Sequence, residues 1–216
     1  MRRILLLNPN TNGATTDAMC ALARAVASGV RIEGRTAPIG VPMITMPAEL
    51  EVAAEVVAAM AGTIAASPPD ALVIGAFGDP GLAQAAARLS CPVIGIGEAA
   101  MREAALHGRT FAVVTVTPAL VGSIAGMADR LGLSAQYRGV TLTEGQTAAV
   151  MANEATLHAA LEAACRKALS GGGIDVLVIG GGPLGGAAQA LASRFSVPLV
   201  NPVAAATRRA LALMAA

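Results

Sequence analysis

Aromatic side chains are nearly absent from this sequence: its 216 residues hold no Trp, one Tyr and three Phe. Base-stacking platforms and aromatic cages for carbohydrates or quaternary ammonium groups therefore lack their raw material. Charge is scarce as well, at 13% of residues, and it is balanced, with 15 Lys+Arg against 14 Asp+Glu and a formal net charge of +1. No nucleic-acid partner is expected, because phosphate binding needs a concentrated positive field. The three cysteines (Cys20, Cys91, Cys165) are odd in number, widely spaced and without a C-x-x-C. That pattern suggests neither a disulfide framework nor a zinc site, and no metal is expected. A membrane span is also missing. The 19 uncharged residues from Thr110 to Ala128 change character at Thr117-Pro118, which suits a buried strand followed by a helix. The N-terminal MRRILLLNPN offers four apolar residues before Asn8, too few for a signal-peptide core, so a cytoplasmic protein without membrane partners is expected.

What the sequence has in abundance is apolar side chain, 55% of the total. A chain of this composition buries a large core rather than remaining disordered. Its apolar runs alternate between strand and helix. Strands are expected at Arg3 to Leu7, Val30 to Thr36, Ala71 to Gly75, Pro92 to Ile96, Phe111 to Val116, Tyr137 to Leu142, Asp175 to Ile179 and Pro198 to Val200. Helices are expected at Thr15 to Ala27, Ala48 to Ala66, Asp79 to Leu89, Glu98 to His107, Pro118 to Leu131, Glu154 to Leu169, Leu184 to Phe195 and Ala204 to Met214, with a Pro/Gly-rich loop from Pro38 to Pro47.

The letters themselves recur. Leu72-Val73-Ile74-Gly75 matches Leu177-Val178-Ile179-Gly180 at an offset of 105, Cys91-Pro92 matches Val197-Pro198 at 106, and Ile4 to Thr11 precedes Phe111 to Pro118 by 107. The expected fold is α/β: two pseudo-symmetric domains, residues 1–107 and 108–216, each a parallel sheet flanked by helices. Such sheets bind ligands outside the carboxyl ends of their strands, so the crevice between the halves is the expected site.

The strand-end loops carry amides, hydroxyls and glycines and lead into helix N-termini. Asn8, Asn10 and Thr11 follow the first strand, Ala76, Phe77 and Gly78 the third, Thr115 and Thr117 the fifth, and Gly181, Gly182 and Pro183 the seventh, with Asn201 after the last. Unpaired N–H groups and the positive end of a helix dipole suit a small anion without any arginine. Helix capping by the same Asn and Thr residues is the alternative. Gly180 to Gly186 does not make a dinucleotide fingerprint, since no acidic residue follows about 20 positions on, and no G-x-x-x-x-G-K-[ST] is present. Titratable candidates are few. Asp79, between Gly78 and Pro80, is a helix cap or a catalytic acid; Glu98 is a first-turn dipole residue or an acid in the crevice. His107 suits the C-terminal end of a helix, Glu154 and His158 lie away from the strand ends, and Cys91 reads as a buried thiol at the wrong end of its strand.

The segments LLLNPNTN (Leu5 to Asn12), VIGAFGDPGL (Val73 to Leu82), HGRTFAVVT (His107 to Thr115) and VPLVNPVAAA (Val197 to Ala206) closely resemble the Asp/Glu/hydantoin racemase superfamily, in particular its hydantoin-racemase-like branch. The resemblance spans essentially the whole chain. It implies two pseudo-symmetric α/β domains and cofactor-independent chemistry at a carbon next to a carboxyl or carbonyl group, in a family that includes amino-acid, hydantoin and allantoin racemases, arylmalonate decarboxylases and maleate isomerases. It also implies that one cysteine follows each matched strand, the two working as acid and base on opposite faces of the substrate. Ala76 and Gly181 occupy those positions here, related by the internal offset of 105, and neither can carry a proton. Two readings follow. One is an isomerase-like, eliminating or hydrolysing enzyme for a small carboxylate or cyclic ureide that works without two thiols, through Glu98, Asp79 or water. The other is a non-catalytic binder of such a metabolite. The expected partners are that small anionic or ureide ligand and further copies of the chain.

Overall fold

The computed structural model describes residues 1–215; residue 216, the last of the second expected half, lies outside the described residues. In chain order the elements are β1 (Arg3–Asn8), α1 (Gly13–Arg24), β2 (Arg31–Thr36), α2 (Pro47–Ile64), β3 (Ala71–Ile74), α3 (Leu82–Ala86), β4 (Val93–Gly95) and α4 (Ile96–Ala104). There follow β5 (Phe111–Thr115), α5 (Val121–Arg130), β6 (Tyr137–Leu142), α6 (Thr147–Val150), α7 (Glu154–Leu169), β7 (Val176–Ile179), α8 (Gly185–Leu191), β8 (Leu199–Val200) and α9 (Pro202–Ala215). The strands form two parallel four-stranded sheets of identical order, β2-β1-β3-β4 and β6-β5-β7-β8. Ile4 to Leu7 pairs with Ala71 to Ile74 as Phe111 to Val114 pairs with Val176 to Ile179, so the matched segments occupy equivalent central strands.

These central strands are apolar on both faces, as helix-covered parallel sheets require. Alternation still sorts their side chains. Leu5, Leu7, Leu72 and Ile74 pack against α2 and α3, whereas Ile4, Leu6, Ala71 and Val73 point the other way. In the second sheet Ala112, Val114, Leu177 and Ile179 face α7 and α8, while Phe111, Val113, Val176 and Val178 join Ile4 and Leu6 in one large shared cluster with α1, α4, α5 and α9. Two helices cross between the sheets inside that cluster. α4, which follows β4, contacts β7 and β8; α9, which follows β8, contacts β3 and β4 and packs along α4.

Local chemistry explains the helix ends. Asn12 and Asn153 accept the Thr15 and Thr156 amides at the starts of α1 and α7, contacts typically worth about 1 kcal/mol each. Glu49 reaches back to the Thr45 and Met46 amides at the start of α2. Several expected helices are shorter than their sequence pattern, two of them because of left-handed backbone near their ends. The segment from Asp79 begins its helix only at Leu82, because Gly78, Asp79 and Gly81 all have positive φ. The helix expected to end at His107 stops at Ala104, and His107 sits at φ 61° in a short 3-10 turn (Leu106–Gly108). It is therefore no partner of the last helical turn. The four-residue α6 lies in a stretch whose sequence had no helical pattern.

The sheets approach closely where the strand ends meet. A Cβ on Gly182 would lie 2.6 Å from the Met19 sulfur and 2.8 Å from the Gly75 carbonyl oxygen. Met19 can adjust, but the Gly75 backbone cannot. Gly182→Ala is expected to cost about 1–3 kcal/mol through overpacking. Gly186→Ala, whose added methyl meets nothing within 4 Å on helix α8, is expected to add about 0.5–1 kcal/mol. Urea denaturation of both variants checks the pair, and equal effects would contradict a close contact at Gly182.

Candidate functional site

The carboxyl ends of the central strands of both sheets surround one cavity of about 50 Å³. Asn10, Ala76, Phe77, Thr115, Thr117, Gly181, Gly182 and Pro183 line it, all of them expected from the strand-end pattern. Each arrives by the same route: a parallel strand ends, and the chain turns over its carboxyl edge before entering the next helix. Ala76 and Gly181, related by the internal repeat, thus open on the same space.

Hydrogen bonding shows which polar groups are available there. The Asn10 side-chain oxygen accepts the Asn12 amide at 2.9 Å and the Asn8 amide group at 2.8 Å, which fixes its orientation. Its own Nδ2 makes no hydrogen bond within the described residues, leaving an unused donor at the cavity. Thr115 Oγ1 donates to the Gly180 carbonyl at 2.7 Å, tying the end of β5 to the loop after β7. A hydroxyl has one hydrogen, so in its 3.2 Å contact with Thr117 Oγ1 the Thr117 hydroxyl is the donor. Thr117 is therefore the hydroxyl that can turn to a ligand, and Thr115 the one that holds the wall. The backbone N–H groups of Phe77, Thr117 and Gly182 are likewise not taken up within the described residues.

Several expected ligand contacts do not line this cavity. Asn8 is fully buried, and its Nδ2 serves Asn10, the Asn12 carbonyl and Thr16. It shapes the loop that presents Asn10. Thr11 donates its backbone N–H to the Val41 carbonyl at 3.0 Å, anchoring the 37–46 loop. Gly78 turns away at φ 137°, where a Cβ would strike Leu50. Asn201 caps α9, accepting the Val203 and Ala204 amides while donating to the Gly185 carbonyl.

The two carboxylates expected as catalytic candidates are also elsewhere, beside a separate depression shared with Met127 and Arg130. Asp79 caps a helix, but not the one that follows it in sequence. Its Oδ1 accepts the Gly97 amide at 2.8 Å and its Oδ2 the Glu98 amide at 2.7 Å, at the first turn of α4. Burial pushes this carboxyl up to about 7; the two amides and Arg130 oppose the shift, and Glu98 adds to it. Glu98 itself is held by Arg102 at 2.7 Å, an i,i+4 pair on α4. Among the described residues, no titratable side chain lines the cavity.

Sequence reasoning missed most of the apolar part of the lining: Met43, Ile44, Leu120, Ile124 and Leu184. Met43 and Ile44 come from the loop after β2 and add apolar surface to the cavity. The signal available was a loop with apolar residues at its tip, which turn chemistry does not call for. No cysteine lines the cavity, and burial raises the Cys20 and Cys91 thiols and pushes Cys165 up to about 12. None is an activated thiolate. No three His, Cys, Asp or Glu side chains converge as a metal site among the described residues, and no helix there is long and apolar enough to cross a membrane.

Comparison with known proteins agrees with this architecture. The family profile described as Asp/Glu/hydantoin racemase matches residues 4–210. A hydantoin racemase of Paenarthrobacter aurescens is 30% identical over 99% of this chain and 91% of its own length. Among solved structures, an allantoin racemase from Klebsiella pneumoniae superposes with a TM-score of 0.93 at 30% identity, covering 100% of this chain and 88% of its own. An allantoin racemase from Pseudomonas fluorescens gives 0.87 at 28% identity, with 99% and 91% covered.

The Asp79 carboxyl makes a pH-dependent contribution to stability. Its folded-state value of about 7 lies above the ordinary 3.8, so the native state holds the proton more tightly than the unfolded chain. The resulting stabilisation is complete below about pH 4 and is lost as the pH rises through about 7, to an extent on the order of 4 kcal/mol. Between pH 5 and 9 the wild-type Tm should therefore fall relative to that of Asp79→Asn, which cannot titrate. A difference that stays flat or runs the other way would show that the two amides outweigh burial.

Proposed function

The chain belongs to the Asp/Glu/hydantoin racemase family, and from that premise we propose a cofactor-independent enzyme that stabilises the enolate of a small cyclic ureide or carboxylate without a pair of thiols. Family membership supports racemase- or isomerase-type chemistry; the finer reading rests on the lining of the cavity. Removing a proton from a carbon beside a carbonyl places negative charge on the carbonyl oxygen. The Asn10 Nδ2, the Thr117 hydroxyl and the free N–H groups of Phe77, Thr117 and Gly182 are donors suited to that oxygen. In a site shielded from water such donors are worth more than in solution and need no reorganisation.

The single observation that carries the reading is that these donors stand in a cavity lined by no charged side chain. An α-ammonium group would lose its hydration there without a carboxylate partner, so free amino acids are disfavoured. A ring whose imide is neutral or singly charged suits the site better, with a small apolar substituent against Met43, Ile44, Leu120 and Ile124. Admission of such a ring requires Met43 and Ile44 to move outward. Water held between Asn10 and Thr117 would carry the proton that the racemase thiols carry elsewhere in the family. The same lack of a titratable group favours a second reading, a protein that binds such a ring without turning it over.

Proton exchange distinguishes the two. Incubation of 5-alkyl hydantoins, alanine and aspartate with the protein in D₂O, followed by NMR, should show loss of the C5 proton of the hydantoins alone. Saturable hydantoin binding without exchange would select the binder, and neither binding nor exchange would reject both. Thr117→Val and Asn10→Ala should each weaken hydantoin affinity about 10- to 150-fold, the equivalent of one hydrogen bond to a charged group at about 1.5–3 kcal/mol. Exchange should also survive alkylation of the folded protein with iodoacetamide, since no thiol lines the cavity; inactivation that tracks modification of one cysteine would overturn the thiol-free mechanism.

A further inference from the structure

We infer that Asp79 is a positioning residue: its carboxylate clamps the loop forming one wall of the cavity onto the helix that abuts the opposite wall. The loop after β3 supplies Gly75, Ala76 and Phe77 to the cavity and carries Asp79, whose own N–H donates to the Ala76 carbonyl at 3.0 Å. From there the side chain reaches the Gly97 and Glu98 amides of α4 with both oxygens. α4 leaves the first sheet at this point and packs on β7 and β8 of the second. Its first residue, Ile96, has its Cδ1 3.4 Å from where a Cβ on Gly182 would stand. One side chain thus links Ala76, through the first turn of α4, to Gly182 across the cavity.

Two features of the backbone are arranged around this clamp. Asp79 adopts φ 50°, a left-handed conformation that a non-glycine residue holds only where its surroundings repay the strain. Gly95, the last residue of β4, leaves the space that the carboxyl fills: a Cβ there would lie 2.1 Å from the Asp79 Cγ. Gly95 has φ −87° and ψ 142°, ordinary extended values open to any residue. Its lack of a side chain therefore serves the carboxyl and not the local backbone. A cap that only ended a helix could come from a neighbouring residue, as Asn12 and Asn153 do for α1 and α7. Asp79 instead spans 18 and 19 residues of sequence to its two amides.

The proposal rests on the strand-end cavity being the functional site, but its test needs no substrate. Amide hydrogen exchange would be followed by NMR in the wild type, Asp79→Ala, Gly95→Ala and, as a control of comparable local cost, Asn153→Ala, which removes the cap of the distant α7. In Asp79→Ala, exchange should rise about tenfold not only at Gly97 and Glu98 but also at Gly75 in the first wall and at Gly181 in the second. Gly95→Ala should produce the same pattern by displacing the carboxyl, and should add nothing further in the Asp79→Ala background. Asn153→Ala should leave all four amides unchanged. If Asp79→Ala fails to fold, Gly95→Ala and Asp79→Asn carry the same comparison. Faster exchange confined to Gly97 and Glu98, with both walls protected as in the wild type, would reduce Asp79 to a helix cap and overturn the inference. An absence of hydantoin turnover would leave this result standing, and would bear only on the proposed substrate.

Discussion

Everything at the strand ends depends on a close approach of two backbones, the Gly75 carbonyl against the α-carbon of Gly182 with Met19 wedged beside them. A Cβ on Gly182 would strike the Gly75 carbonyl oxygen, and one on Gly75 would force the Met19 methyl, 2.8 Å away, to move. Because the two sheets meet through glycine, the space left between their edges is small and much of its polar surface is main chain. Glycine here therefore does more than ease a turn. It converts the wall of the cavity from side chain to N–H and C=O, which are rigid donors and acceptors held by the strands themselves.

The same economy runs through the charges. With so few acids in the chain, those near the strand ends are occupied in holding structure: Asp79 on the first turn of α4, Glu98 on Arg102, and Glu49 on the start of α2. The thiols are similarly committed to packing, Cys20 in the shared cluster and Cys165 on the buried face of α7. What remains facing the cavity can orient and polarise but cannot by itself exchange a proton with a substrate. That division is why a catalyst relying on water and a simple binder make the same contacts in the proposed site and differ only in what happens to one hydrogen. It also sets the polarity of the cavity, in which uncharged donors share the lining with Met43 and Ile44.

The crossing helices give the two halves a mechanical connection that short loops alone would not. α4 and α9 each leave one sheet and pack against the other, and they pack against one another within a single apolar cluster. The walls of the cavity are therefore not carried by two independent bodies. Movement of one sheet edge must be accommodated by the first turn of α4 or by the packing of α9, and packed interiors resist such shifts because each side chain fills its space.

The repeat in the letters, with strand cores Leu72 to Gly75 and Leu177 to Gly180, determined the parallel sheets, their equivalent central strands and the convergence of Ala76 with Gly181, because strand order and a turn at the carboxyl edge follow from local pattern. Asn10, Thr115 and Thr117 were legible for the same reason: short polar residues directly after an apolar strand have few places to go. The destination of a side chain that leaves its own segment was decided only by the tertiary structure. Asp79 read as a cap for its own helix or a catalytic acid, yet the positive φ of Gly78, Asp79 and Gly81 delays that helix to Leu82, and the carboxyl reaches the first turn of α4. Asn8, Thr11 and Asn201, expected as ligand contacts or caps, have structural partners in the fold: Asn8 and Thr11 hold the strand-end loops and Asn201 caps α9, since a buried amide or N–H must be satisfied by whichever partner folding brings near. Met43 and Ile44 offered only the signal of apolar residues at a loop tip, which does not say what they face. Their loop has no periodicity, and what places them at the cavity is the anchoring of Val41 by Thr11 and of Thr45 by Glu49, contacts between segments that no local pattern encodes.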